Sequence, residues 1–203
     1  MAEKAMDMAE RSLMKTFKGA LYSKFCQAIS DYFLISEGDR IGVAISGGKD
    51  SLLLAKLFQA YQKYGSIHFE TVYFTMDPGF SQETREKYDS NCKKLDIEAK
   101  VYPTQIFASA QMMNPEKPCF LCARMRRGFL YKKAQEAGCN KLALGHHFDD
   151  VIETTLLNII YAGCFKTMMP KAKSENYKGM ELIRPMYYIK EKDIERFARY
   201  HKL

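Results

Sequence analysis

Along this chain the spacing of hydrophobic residues changes repeatedly, and each change separates one expected element from the next. Leu13, Phe17, Leu21, Phe25, Ile29 and Phe33 recur at roughly helical spacing and predict a leading helix over 13–35, which ends before Glu37-Gly38-Asp39. Ile41, Val43, Ala44 and Ile45 then form a short apolar run of the kind a buried parallel strand carries. Leu52, Leu53, Leu54, Leu57 and Phe58 return to helical spacing. Residues 67–75 alternate, are rich in β-branched and aromatic side chains, and stop at the turn Asp77-Pro78-Gly79, which predicts a second strand. A polar helix over 81–95, with Ser81 and Thr84 as capping candidates, leads to a third strand over 97–102. Beyond it, 119–137 reads as helix, 141–144 as a short strand, 149–161 as helix and 191–200 as a last helix. Two segments, 108–118 and 167–179, read as loop-like insertions at the working edge.

Strands alternating with helices predict an α/β fold, a parallel sheet flanked by helices, and such sheets bind ligands beyond the carboxyl ends of their strands. The two most unusual polar stretches, 46–51 and 145–150, both follow expected strands, so one crevice is expected to hold both. With 203 residues, 47% of them hydrophobic and 13% aromatic, the chain can bury the core of one sizeable domain. Its N-terminal stretch mixes acids and bases without a signal-peptide core, and no apolar run approaches a membrane span, so a cytoplasmic protein with no membrane contact is expected. Six cysteines are then expected to be reduced, with Cys26, Cys92 and Cys139 buried or inert. A net charge of +7 favours a polyanionic partner such as RNA.

The chemistry concentrates in three stretches. Ser46-Gly47-Gly48-Lys49-Asp50-Ser51 lies where a strand turns into a helix, matching neither the Walker pattern nor G-x-G-x-x-G. A helix start presents unpaired N–H groups, two glycines allow close approach, and Lys49 adds a mobile cation, a combination suited to phosphate. In Leu144-Gly145-His146-His147-Phe148-Asp149-Asp150, Gly145 permits a tight turn and the histidines offer hydrogen bonds. The aspartates suit either a cation beside phosphate or a helix cap. Finally, Pro118-Cys119-Phe120-Leu121-Cys122 places two thiols near a helix start, ahead of Arg124, Arg126 and Arg127, which favour thiolates. No second C-x-x-C or H-x₃₋₅-H accompanies them, and three readings stay open: a metal or iron–sulfur site, a sulfur-carrying or redox pair, and two incidental cysteines. The three arginines, with Lys132 and Lys133, suit RNA phosphates or a merely solvated face, and Lys166, Lys171 and Lys173 are weaker candidates. Tyr73, Phe74 and Met76 read as core, and Asp77 as a turn residue.

The stretch 46–51 resembles the SGGxDS pyrophosphate loop of the PP-loop ATPases, which transfer AMP to a substrate oxygen and release pyrophosphate. The resemblance implies an adenine nucleotide alpha-hydrolase-like, Rossmann-like fold. It implies that Ser46, Gly47, Gly48, Lys49 and Ser51 hold the ATP phosphates, with Asp50 as a magnesium partner. Together with 119–131, 144–150 and 183–198, the chain is similar to the tRNA 2-thiocytidine synthetases, the TtcA group, over nearly everything after the leading helix. That likeness implies an ATP-dependent tRNA sulfurtransferase that adenylates a cytidine C2 oxygen in the anticodon loop and replaces it with sulfur. Asp50, Asp150 and Lys49 would be catalytic, Gly145 and His146 would contact nucleotide, and Arg124, Arg126 and Arg127 would contact RNA. ATP, Mg²⁺ and a [4Fe–4S] cluster are the implied cofactors, with Cys119 and Cys122 as the first two of three cluster thiolates. Cys164 does not correspond to the third, which no residue of this chain supplies. The expected organisation is a leading helical segment, 1–36, and a PP-loop ATPase domain, 37–203, cut short at its C-terminal end. A sulfur donor such as a cysteine desulfurase is implied, and a homodimer is compatible with it. The alternatives are a nucleotide-binding iron or redox regulator without turnover, and a thiolase acting on another base or a small molecule. A lysidine-type ligase would leave the cysteine pair without a task.

Overall fold

A computed structural model describes residues 7–116 and 118–203. Residues 1–6 of the expected leading segment, and Lys117 of the expected 108–118 loop, lie outside the described residues. The leading helix is not continuous. It divides into α1 (Met8–Met14), a π-helical turn at Lys18–Tyr22, and α2 (Ser23–Asp31). Apolar residues every four positions drift by about 40° per step on a 3.6-residue helix, so a straight helix would carry its stripe away from the core. The break after α1 and the wider i→i+5 turn return Leu13, Phe17, Leu21, Phe25 and Ile29 to the interior, all buried.

β1 (Arg40–Ala44), α3 (Lys49–Tyr64), β2 (Glu70–Asp77), α4 (Gln82–Lys94) and β3 (Lys100–Pro103) follow as alternating elements. Ser81 caps α4 by accepting the Thr84 N–H at 3.2 Å. The first loop-like stretch instead begins within α5 (Ile106–Met113), whose Ile106 and Ala110 join the apolar cluster beneath α6 (Pro118–Glu136). After β4 (Lys141–Ala143) and α7 (Phe148–Ala162), the segment 167–179 contains β5 (Lys171–Lys173), paired antiparallel to β6 (Glu181–Ile183). β5 is Lys-Ala-Lys at the edge of the sheet and carries no apolar run that would mark it as a strand. α8 (Glu191–His201) ends the succession.

The sheet runs β3-β2-β1-β4-β6-β5, parallel except for β5. Its direction of winding reverses between β1 and β4, where Val43 pairs with Ala143, and this is where an open α/β sheet leaves a crevice beyond its strand ends. One face is covered by α1, α2, α3 and α8, whose apolar residues share a single core. The other carries α5 and α6 over Phe74, Met76 and Leu142. Tyr73 is half-buried and Phe74 and Met76 are buried. β2 alternates in chemistry, but its end is covered on both sides: Phe74 and Met76 face α6, and Thr75 meets the Tyr88 hydroxyl at 2.6 Å. No residue of α7 is buried, and Leu157, Ile160 and Tyr161 are exposed. Among the described residues, no helix is long and apolar enough to cross a membrane.

Candidate nucleotide site

The 46–51 turn is built largely by its own side chains. Ser46 N–H donates to Ser51 Oγ at 3.0 Å, Ser51 Oγ donates to the Gly48 carbonyl at 3.0 Å, and the two serine hydroxyls stand 3.1 Å apart. Gly47 sits at φ +84°, in the left-handed region that favours glycine, and a Cβ there would come within 2.9 Å of the Tyr88 ring. α3 starts at Lys49 with no side-chain cap, so its first N–H groups remain available to an anion.

Gly145 brings the second polar stretch onto this turn. A Cβ on Gly145 would lie 3.3 Å from the Asp50 carbonyl carbon and the Ser51 nitrogen, both backbone atoms that cannot swing aside. Overpacking of this kind costs about 1–3 kcal/mol. Gly145→Val is therefore expected to weaken ATP binding roughly tenfold, with Gly145→Ala showing less, as measured by calorimetric titration. Unchanged affinity in the valine variant would mean that the two loops do not share a ligand.

Between the loops lies a cluster of charge. Lys49 Nζ is 3.1 Å from Asp50 Oδ1 and 3.1 Å from Glu191 Oε1. Partial burial pulls the Lys49 ammonium down, but its hydrogen bonds to Glu191 and Asp50 outweigh that and hold its pKa above the ordinary lysine value. Asp50 Oδ1 is shielded from solvent and has no partner in hydrogen-bond geometry, because Lys49 reaches it by proximity and points its donor at Oδ2, 3.5 Å away. Buried His147 places Nε2 at 4.0 Å from Asp50 Oδ1 and 3.6 Å from Asp150 Oδ2. Asp150 Oδ2 accepts the His147 N–H at 2.8 Å and so closes the start of α7. Asp149 Oδ2 instead accepts the Glu191 N–H at 2.7 Å, at the start of α8. Both aspartates thus serve helix ends, although of different helices.

Next to this cluster His146 is half-buried, and desolvation pushes it down to about 4, with the Arg184 charge adding to the effect; its Nδ1 is shielded and has no partner. The imidazole is neutral at physiological pH. Arg184 follows β6, one strand beyond β4, and is 7% exposed. Burial lowers it to about 10; Nη1 donates to the Met169 carbonyl, and Nε is unpartnered.

The basic helix α6 packs over β4, its Leu130, Tyr131 and Ala134 sharing an apolar cluster with Leu142, and the charge of Arg127 bears on both His146 and Arg184. Arg124, Arg126 and Arg127 are exposed. Cys119 is exposed and Cys122 buried, with Arg126 Nη2 3.9 Å from Cys122 Sγ. Among the described residues no third cysteine, histidine or carboxylate joins the pair in a group able to hold a metal. Cys164 stands just past the end of α7. Cys26 is partly buried and Cys92 and Cys139 are buried, and burial raises the pKa of all three thiols. Asp77 makes a turn, its Oδ1 accepting the Gly79 and Phe80 N–H groups at 2.8 and 2.7 Å.

Sequence reasoning did not single out Glu191 or Arg184. Glu191 lies 142 positions from Lys49, and its only local signal is an acid in the first turn of a helix. Arg184 has no local signal beyond its place after a three-residue strand.

A mostly parallel α/β sheet with an uncapped glycine turn at its winding reversal defines a nucleotide-binding class whose phosphate site is not a Walker loop. The chain belongs to the PP-loop domain family, whose model matches residues 20–203. It is 42% identical over 177 residues to the tRNA-cytidine(32) 2-sulfurtransferase of Aeromonas hydrophila, covering 85% of this chain and 57% of that protein. The same identity holds for the tRNA-cytidine(32) 2-sulfurtransferase of Yersinia pestis (strain Pestoides F), with coverage of 85% and 55%. The chain thus spans a little over half the length of these curated relatives. Among solved structures, it resembles the U34-tRNA thiolase NcsA from Methanococcus maripaludis with its [4Fe–4S] cluster. The TM-score is 0.72 at 23% identity, over 92% of this chain and 64% of that one. The NH₃-dependent NAD synthetase of Campylobacter jejuni aligns with a TM-score of 0.54 at 19% identity, over 90% and 72%. These likenesses establish the adenine nucleotide alpha-hydrolase-like fold.

Proposed function

We propose that the protein is an ATP-dependent tRNA sulfurtransferase that forms 2-thiocytidine, at the position 32 for which its curated relatives are named. The observation that carries the reading is the contact of the 46–51 turn with Gly145 at the winding reversal, beside a helix that begins with two thiols. Residues 37–203 form the ATPase domain in this reading and 1–36 its leading segment.

In the first step the cytidine C2 oxygen attacks the α-phosphorus of ATP, the bond to the β-phosphate breaks, and pyrophosphate leaves. Ser46, Gly47, Gly48 and Ser51 hold the departing phosphates, and Lys49 neutralises them once it exchanges Glu191 for phosphate oxygen. Magnesium fits Asp50, whose shielded Oδ1 lacks a hydrogen-bond donor, and when bound it would neutralise phosphate charge. Gly145 and neutral His146 line the nucleotide, while Asp150 keeps the α7 start, and with it His147, against Asp50. In the second step a sulfur nucleophile adds at C2 and AMP leaves with the original oxygen.

Cys119 and Cys122 form the sulfur-handling end. The cluster implied by the family likeness needs three thiolates and the described residues gather two, so the pair does not complete such a site and no step passes through it. A donor such as a cysteine desulfurase would supply the sulfur in the cytoplasm, and a homodimer is compatible with the exposed apolar side of α7.

The test is nucleoside mass spectrometry of tRNA from cells lacking the gene, paired with pyrophosphate release by the protein on unmodified tRNA. Loss of 2-thiocytidine and RNA-dependent release are expected. A different missing thionucleoside would move the acceptor. Nucleotide binding without RNA-dependent release would support the regulator. Cys119→Ser and Cys122→Ser are expected to keep pyrophosphate release and drop thiolation to background; thiolation at the wild-type rate in either would remove the pair from the mechanism.

A further inference from the structure

Beside the crevice, α2 and α8 enclose a groove of about 400 Å³ whose walls include Lys24, Lys190, Lys192, Arg196, Asp193 and Tyr188. Its charge is one-sided. Asp193, the single acid of the lining, is taken by Arg196 at 3.1 Å, and Lys24 donates only to the uncharged Gln27 amide at 3.2 Å. Among the described residues no ion pair reaches Lys24, Lys190 or Lys192, and all three are exposed. Unneutralised ammonium groups held along one groove repel one another and attract an anion.

Two features select the anion. Lys24 on α2 and Lys190 and Lys192 at the start of α8 set unpaired ammonium groups on both walls of the groove, more than a single phosphate needs and suited to successive phosphates of a strand lying between them. The groove also ends at the crevice. Lys190 precedes Glu191, whose carboxylate holds Lys49 at 3.1 Å, and the Ile189 carbonyl accepts the Phe148 N–H at 2.9 Å, fastening this end to the start of α7. The arginines of α6 lie on a different element, so a strand in the groove would approach the nucleotide turn from another side.

We propose that the groove between α2 and α8 is a second RNA-backbone site, separate from the arginine face of α6, that holds the phosphates of the strand carrying the acceptor nucleotide. The inference rests on reading the chain as a tRNA-modifying enzyme and adds the surface that presents the RNA. Phosphate contacts of this kind position a strand without reading its bases.

The test uses the full chain, unmodified tRNA and ATP. Lys190→Glu/Lys192→Glu is compared with Lys190→Arg/Lys192→Arg and with Lys87→Glu/Lys93→Glu, an equal charge change on the exposed surface of α4. In the groove reversal, tRNA affinity is expected to fall about tenfold, and the slope of log affinity against log salt to become shallower by roughly 0.7–0.9 for each phosphate left unneutralised. ATP affinity is expected to stay within about twofold, because phosphate contacts to RNA are separate from nucleotide contacts. The arginine pair is expected to restore RNA binding. Unchanged RNA affinity and slope in the groove reversal, or an equal loss in the α4 control, would overturn the proposal. If wild type binds tRNA through the groove but never releases pyrophosphate with it, the groove stands and the enzymatic reading fails; a wild type that binds no RNA overturns both.

Discussion

Asp50→Asn is expected to reduce RNA-dependent pyrophosphate release by roughly 100- to 1,000-fold, the usual cost of removing one preorganised charge from a transition state. The substitution preserves shape and removes only the negative charge. That charge now faces Lys49 at 3.1 Å and leaves Oδ1 shielded without a hydrogen-bond donor, the arrangement on which the proposed magnesium role of Asp50 rests. Lys49→Met makes the complementary change, leaving Asp50 and Glu191 without their shared cation. The two variants should differ in where the loss appears. Asp50→Asn should lose most of its rate and its magnesium dependence, whereas Lys49→Met should chiefly weaken ATP binding. Turnover within about fivefold of wild type in Asp50→Asn, smaller than any such loss, would remove this carboxylate from the chemistry.

The largest stability effect is expected far from the nucleotide, at Lys141. Its Nζ lies 2.6 Å from Asp39 Oδ2 and donates to the Leu34 carbonyl at 2.9 Å, with both charged side chains almost fully buried. Lys141→Met strands the Asp39 carboxylate, and breaking a buried pair from one side costs about 3–5 kcal/mol. For a chain of this size the melting temperature should drop by about 6–20 °C. The pH dependence follows from Asp39. Burial pushes its carboxyl up, but hydrogen bonds from Lys141, Asn140 and the Ser36 N–H outweigh that and keep its pKa below the ordinary aspartate value. The depressed folded pKa means that its stabilisation is present above the unfolded value, about 3.9, and is lost as pH falls through the folded value. Without Lys141 the burial cost dominates and protonation relieves it. Calorimetric melts should therefore show the widest gap between wild type and variant near neutrality, narrowing in acid. A gap that widens on acidification would contradict this origin.

Much of the fold was legible because it depends on local pattern. Leu52 to Phe58 repeat at helical spacing, and Ile41 to Ile45 form the apolar run of a strand between neighbours. Even the broken leading helix left a trace, since its strict four-residue repeat does not match a straight helix. β5, Lys-Ala-Lys at the sheet edge, carried no apolar run, β6 was passed over although it is no shorter than β4, and α5 was hidden by a segment whose apolar residues are mostly exposed.

For the site itself, the sequence alone determined the local chemistry: a glycine turn into a helix, a thiol pair ahead of three arginines, and a His-His-x-Asp-Asp stretch after a strand. Each depends on side-chain type and backbone freedom within a few residues. Only the tertiary structure decided that Gly145 presses on the Asp50 backbone, that Glu191 holds Lys49, that Arg184 stands beside a neutral His146, and that Lys24 shares a groove with α8. Those relations join residues separated by up to about 170 positions, and they follow from the strand order around β1 and β4, which no local period encodes.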